Sequence, residues 1–235
     1  MSDPLLTRYL LPLLSGRRAE CFSLIRDALT DGKPATAIVY DVIWPAMAQV
    51  ERLFRADRID SAHENMACRI NRTIADQIQA RLPSGLPNGK RMLLICADRP
   101  SEELGAQMTA DLLQAEGWDV YFMGGGVPQD EVLALVGELR PQGMVVFGTG
   151  PTGVPDTRKL VDLIREVGVC STMNVIVSGG VFNRADGLWR EVGADHFAEN
   201  ARDVLSIAAD MQPRKPGTPR VDVVKKRRRR RKVAV

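Results

Sequence analysis

Histidine is nearly absent from this chain: His63 and His196 are the only two among 235 residues. The four cysteines, Cys21, Cys68, Cys96 and Cys170, form no Cys-x-x-Cys or Cys-x-x-His pair. That spacing excludes a structural zinc site and leaves buried free thiols in a reducing compartment as the expectation. No run of 18 apolar residues occurs, so no membrane-spanning helix is expected. The N-terminal MSDPLLTRYLLPLLSGRRAE carries an apolar patch with no basic segment before it. It reads as a first helix rather than a signal peptide, and a cytoplasmic location is expected. No serine or cysteine stands in a recognisable motif with a histidine and an acid, so no catalytic constellation is found and no enzyme is expected.

The remaining composition, 45% hydrophobic and 26% charged, is that of a globular protein. Residues 1–82 show helical spacing of apolar positions, for example Met66, Ile70, Ile74 and Ile78. A break at Thr30-Asp31-Gly32-Lys33-Pro34 and a helix expected over 35–55 complete a four-helix bundle. PSGLPNGK (83–90) reads as a linker. Over 91–212 apolar strands alternate with helices: MLLICA, WDVYFMG, GMVVFG, MNVIVSGG and GADHFAE. Continuous apolar strands imply a parallel sheet covered on both faces, open and doubly wound. Ligands of such sheets lie beyond the strands' carboxyl ends, here at loops 98–105, 124–128, 148–155 and 179–184, all rich in glycine, proline or small polar residues. GTGPTG (148–153) has the glycines of a phosphate cradle without the lysine of a P-loop.

Charge is divided unevenly. From Pro213 onward eleven Lys or Arg face one Asp, whereas the first 212 residues carry −7 of the net +3. The segment 213–235 is expected to be a disordered basic tail. Its unbroken block from Lys225 to Lys232 suits nonspecific contact with nucleic acid, and a solvated, solubilising tail is the plainer alternative. No helix-turn-helix is evident, so sequence reading is not expected.

Several segments together resemble the cobalamin-binding modules of methionine synthase, corrinoid carrier proteins and cobalamin-dependent light-sensing regulators. Those modules combine a helical-bundle cap with a five-stranded Rossmann-like (flavodoxin-like) domain, and the resemblance spans about residues 15–208. The loop after the first strand reads Glu102-Glu103-Leu104-Gly105 where the family has "ExHxLG" or "DxHxxG". It is followed by GWDVYFMGGGVP (117–128), SGG (178–180) and VGAD (192–195). In the bundle, PAMAQVERLFRADRIDSAHENMA (45–67) is similar to the family's segment with a tryptophan and a Glu-His pair.

The resemblance implies a cofactor site at Phe54, Glu64, Asn65, Asp98, Glu103, Gly105, Gly124, Gly148, Thr149, Ser178, Gly179 and Gly180. It also shows departures. Glu103 stands at the loop histidine that ligates cobalt in the family, and a carboxylate is a poor substitute there. Phe54 stands at the tryptophan that covers the corrin, and Glu64-Asn65 at the Glu-His pair. Gly148-Thr149 falls near the serine of the third loop. Two acids at a helix start also complement the helix dipole, so Glu102 and Glu103 have a structural reading too. His63 and His196 remain weak candidates for a metal ligand, each with packing as its alternative. Three readings stay open: cobalamin bound with its own base on cobalt, another nucleotide-like ligand, or a vestigial pocket on an interaction scaffold. The resemblance implies first a cobalamin-type sensory regulator, photoreceptor-like and acting through a transcription-factor partner. A corrinoid carrier for methyl transfer is the alternative.

Overall fold

Asp3 accepts a hydrogen bond from Leu5 N (2.8 Å) and Pro4 occupies the first helical turn, so the chain enters α1 (Pro4–Leu14) at once. In the computed structural model, which describes residues 3–97 and 103–215, α2 (Arg18–Thr30) follows. The next helix is one continuous rod in three parts: α3 (Ala35–Ile38), a π turn (Val39–Ile43) and α4 (Trp44–Arg55). The expected 35–55 helix is thus present, with a widened turn inside it. Pro45 accounts for the turn, since it has no N–H for the carbonyl four residues back and its ring crowds that carbonyl. Asp60 then caps α5 (Ser61–Gln79).

The second half alternates β1 (Arg91–Cys96), α6 (Leu104–Ala115), β2 (Asp119–Gly125), α7 (Gln129–Leu139), β3 (Gly143–Phe147), α8 (Val154–Val167), β4 (Asn174–Ser178), α9 (Gly180–Arg184), α10 (Leu188–Glu191), β5 (His196–Ala198) and α11 (Ala201–Asp210). All strand pairs are parallel, in the order β2-β1-β3-β4-β5. The four-helix bundle and the five-stranded parallel sheet agree with the fold expected from the sequence. One helix expected near 184–192 is instead two short ones, divided at Gly187, which has φ +78°.

Burial explains how the halves meet. α7 and α8 cover one face of the sheet with Val132, Val136, Leu160, Val161 and Ile164. α6 and α11 cover the other with Ala106, Ala110, Leu113, Val204 and Ala208. The bundle packs on the far side of α6, where Leu104, Met108 and Leu112 join the bundle core. Nine of the twelve residues of α6 are buried, the signature of a helix enclosed on all sides. Residues 83–90 are tied down as well: Gly85 N donates to Ala115 O (2.8 Å) and Asn88 N to Gly117 O (2.9 Å).

The α5–α6 seam also holds polar groups. Gln107 Nε2 donates to Asp76 Oδ1 (2.6 Å). Asp111 lies half-buried beside them, its carboxyl pushed up to about 6 by burial first and then by the Asp76 charge, against a hydrogen bond from Gln79. Between its ordinary 3.8 and about 6 the folded protein therefore binds more protons than the unfolded chain, and stability contributed here falls as pH rises through that window. Asp111→Asn should remove the fall. Thermal melts should place the variant above the parent near about pH 7.5, with the gap closing toward about pH 4.

Candidate cofactor site at the carboxyl rim of the sheet

The strand ends at Cys96, Gly125, Phe147, Ser178 and Ala198 form one rim. α4 and the start of α5 stand over it, and the contacts that join them define the site. Glu51 of α4 pairs with Arg184 at the end of α9, and the same guanidinium donates to Thr149 O (2.5 Å). Gly180 lies beneath this pair: a Cβ there would stand 2.5 Å from the Arg184 guanidinium and 2.7 Å from the Glu51 carboxylate. Glu64 is half-buried on α5, and burial first, then the Glu51 charge, holds its carboxyl above the usual range. Phe54 sits three residues beyond Glu51 and so shares its helix face. It is half-buried and belongs to none of the three core clusters.

Glu103, just before α6, turns its carboxylate away from the bundle. Its Oε1 accepts from Gly125 N (2.8 Å) and rests against Gly124, whose φ of +77° and bare Cα admit it. Ser178 is fully buried at the end of β4, and its Oγ has no partner among the described residues. A buried hydroxyl left unpaired costs about 1–3 kcal/mol, so it marks a place where a ligand's polar group would be stabilised.

The structure corrects some of the expected roles. Asp98 and Glu102 lie outside the described residues. Gly105 and Gly148 were expected to bare backbone to a ligand. Instead, a Cβ at Gly105 would meet the Phe147 ring at 3.0 Å, and one at Gly148 the Phe182 ring at 3.0 Å. Both rings are buried, so these glycines serve helix-on-sheet packing. At Gly179 a Cβ would overlap the Gly148 carbonyl, which makes it a strand-to-strand contact. Asn65 is exposed, because one step along a helix turns about 100° away from Glu64. His63 caps α5 with Asp60: its backbone N and its Nδ1 lie 2.9 and 2.6 Å from Asp60 Oδ1. His196 pairs with Ile176 at the amino end of β5, two residues short of the rim. Among the described residues no group of three His, Cys, Asp or Glu is placed to hold a metal ion.

Sequence reasoning missed two participants. Glu51 and Arg184 carried no motif, since their pairing spans 133 residues. Trp44, just after the π turn, packs against both the bundle and the sheet cores and meets Phe147 edge-on, with centroids 6.3 Å apart.

A helical cap over the carboxyl rim of a flavodoxin-like sheet is the architecture of corrinoid-binding proteins, and the comparisons agree. A family model described as B12 binding domain matches residues 90–209, and a second of the same description matches 5–79. The chain belongs to the B12-binding domain family, and cobalamin is its cofactor. It is similar to dimethylamine corrinoid protein 2 of Methanosarcina mazei, 22% identical over 85% of this chain and 92% of the relative. It is also similar to dimethylamine corrinoid protein 3 of Methanosarcina acetivorans, 25% identical over 76% and 83% of the two chains. The solved structure of the Methanosarcina barkeri monomethylamine corrinoid protein superposes with a TM-score of 0.80 at 18% identity, covering 88% of this chain and 98% of that one. No described helix is long and apolar enough to cross a membrane.

Against that cofactor the rim offers two kinds of surface. One fits: the buried Ser178 hydroxyl, without a partner among the described residues, offers a donor, and the Glu51–Arg184 pair over Gly180 consists of partly exposed side-chain ends that can separate. The other, beside Gly105 and Gly148, is filled by Phe147 and Phe182.

Gly105→Ala discriminates between the two uses of that glycine. Helix propensity alone would stabilise the variant by about 1 kcal/mol. If the Phe147 contact decides, urea unfolding of the cofactor-free protein should instead show destabilisation of about 1–3 kcal/mol.

Proposed function

We propose that the chain is a corrinoid carrier protein for methyl transfer. The observation that supports this best is likeness over both domains at once: the dimethylamine corrinoid proteins align with bundle and sheet together, over 92% of one relative's length. Cobalamin supplies the cobalt that takes and gives up a methyl group. The chain's own residues bind and orient it. Phe54 and Glu64 on the bundle would hold the cofactor from the cap side, and Ser178, Gly180 and Thr149 would receive it from the rim. The Glu51–Arg184 pair closes the mouth when no cofactor holds it apart.

The placement of the two histidines sets the mode of binding. Counted back from Gly105 in the spacing His-x-x-Gly, the ligating position is Glu102 rather than Glu103, and the Glu103 carboxylate is committed to Gly125 N. With His63 and His196 placed elsewhere, the chain offers no imidazole to cobalt, and cobalamin would bind with its own base as the ligand. The sensory-regulator reading, with a transcription-factor partner and light dependence, draws no support from the relatives described above.

Titration with hydroxocobalamin and methylcobalamin, followed by absorbance and melting temperature, tests the proposal. A ligand at 100 times its Kd stabilises by about 2.7 kcal/mol, so a coloured complex with a raised Tm is expected. Phe54→Ala should weaken binding by roughly tenfold, about 1.4 kcal/mol, by removing a ring from the corrin face. Mixed in the dark with a corrinoid-dependent methyltransferase and a thiol as methyl acceptor, the methylcobalamin complex should pass its methyl group to the thiol sulfur, the thiol giving up its proton. A light-dependent change in Tm or association state with no methyl transfer to the thiol in the dark would establish the regulator instead. Absence of any Tm shift with either cobalamin would overturn both.

A further inference from the structure

At the opposite end of the sheet from the cofactor rim, a cavity of about 760 Å³ opens between the end of α5, residues 82–89, the last turns of α6 and the first residues of β1 and β2. That size falls within the roughly 300–1,000 Å³ of small-molecule sites. Its outer wall is fixed to the α6–β2 corner: Gly85 N donates to Ala115 O, Asn88 N to Gly117 O, and Asp119 N to Lys90 O (2.9 Å). The approach is closer than a side chain allows. A Cβ at Gly85 would stand 2.5 Å from Ala115 O, and one at Gly117 2.0 Å from Leu86 O. Two glycines thus let backbone pack on backbone, and the wall is part of the fold rather than a loose connector.

Asp111 of α6 stands half-buried in the inner wall. Gln79 donates a hydrogen bond to it, and the charge beside it, Asp76 of α5, has its own sign. No Lys, Arg or His pairs with it among the described residues. The cations on the neighbouring elements are engaged elsewhere. Arg91 of β1 donates through Nη1 to Leu139 O (2.8 Å), and its Nε lies 3.6 Å from Asp119 Oδ2. Arg72 of α5 reaches Gln107 Oε1 at 3.4 Å, and Lys90 Nζ lies over the Trp118 ring, 5.5 Å from its centroid. Arg81 and Glu116 are exposed, and residues 83–89 bring no titratable side chain. A carboxylate drawn partly out of water with no countercharge is the feature that a cationic ligand stabilises. We propose that this cavity binds an organic ammonium ion, at a site separate from the corrinoid site, with Asp111 as counterion and Leu82, Pro83 and Pro87 against the ligand's apolar body. Two other ligand classes fit less well. An anion would meet the Asp111 and Asp76 charges, and for a metal ion no group of three His, Cys, Asp or Glu is suitably placed among the described residues.

The test uses the full chain with phenethylammonium chloride as probe, phenethyl alcohol as its neutral counterpart and phenylacetate as its anionic one. Titration calorimetry gives each Kd, and the Trp118 indole N–H resonance reports the location, because Trp118 lines the cavity. At about pH 7.5 the ammonium should bind roughly tenfold tighter than the alcohol, the effect of one hydrogen bond to a charged group, and should shift the Trp118 signal. Asp111 titrates near 6, so at about pH 5 only about one carboxyl in eleven is ionised and that preference should be lost. Asp111→Asn, expected above to be the more stable protein near neutral pH, should bind the ammonium and the alcohol alike at both pH values. Its affinity for hydroxocobalamin should be unchanged, which separates this site from the rim. Equal affinity of the parent for ammonium and alcohol would overturn the proposal, as would failure to bind either. A preference for the ammonium that survives in Asp111→Asn would also overturn it, by placing the cation at other acids. Tighter binding of phenylacetate would overturn it in favour of an anion site built on Arg91.

Discussion

The burial of α6 on every side is the constraint from which the rest of the molecule follows. Ala106, Ala110 and Leu113 face the sheet, while Leu104, Met108 and Leu112 face the bundle. Neither half can shed that helix without exposing three of its apolar side chains and those they pack against, each contributing roughly 1.5–3 kcal/mol when larger than alanine. A bundle fixed on α6 must stand over the start of α6, because the first turn of the helix is part of both cores. The cofactor site is therefore a consequence of packing: the rim lies where β1 hands over to α6, and the cap lies over the rim.

That constraint also explains which parts of the fold were legible in the sequence. The change from helical spacing in 61–79 to continuous apolar strands after Arg91 is local information, and it marks both classes of element. The strand order was not written locally, since β1 pairs with β2 and β3 through crossovers whose geometry is settled by which helix faces which side. Residues 83–90 look like a free connector because proline and glycine mark turns. The bonds from Gly85 and Asn88 to the α6–β2 corner are made between backbones, which leave no side-chain pattern.

The site was legible in outline and misread in detail for related reasons. Glycine reports only that something approaches closely. At Gly105 and Gly148 the approaching groups are Phe147 and Phe182, at Gly179 a carbonyl, and only at Gly180 a pair of mobile charged ends. The identity of the neighbour is set by tertiary structure, which a motif cannot encode. The same holds for Glu51 and Arg184. Each is an ordinary surface charge in its own helix, and their meeting joins residues 133 apart in sequence that only the tertiary fold brings together.

Electrostatics then separates two ends of the sheet. Among the described residues at the rim, Glu51, Glu64 and Glu103 outnumber Arg184, and burial holds Glu64 above the usual carboxylate range. A second cation brought there would be attracted, whereas a phosphate would be opposed except where Arg184 can turn from Glu51 to meet it. At the amino ends of β4 and β5 the balance reverses, with Arg165 and Arg214 sharing one carboxylate, Asp195. Screening over about 10 Å at moderate salt makes ends some 16 Å apart nearly independent. A chain arranged in this way can hold a corrinoid at one end and secure the segment after α11 at the other without either charge pattern disturbing its neighbour.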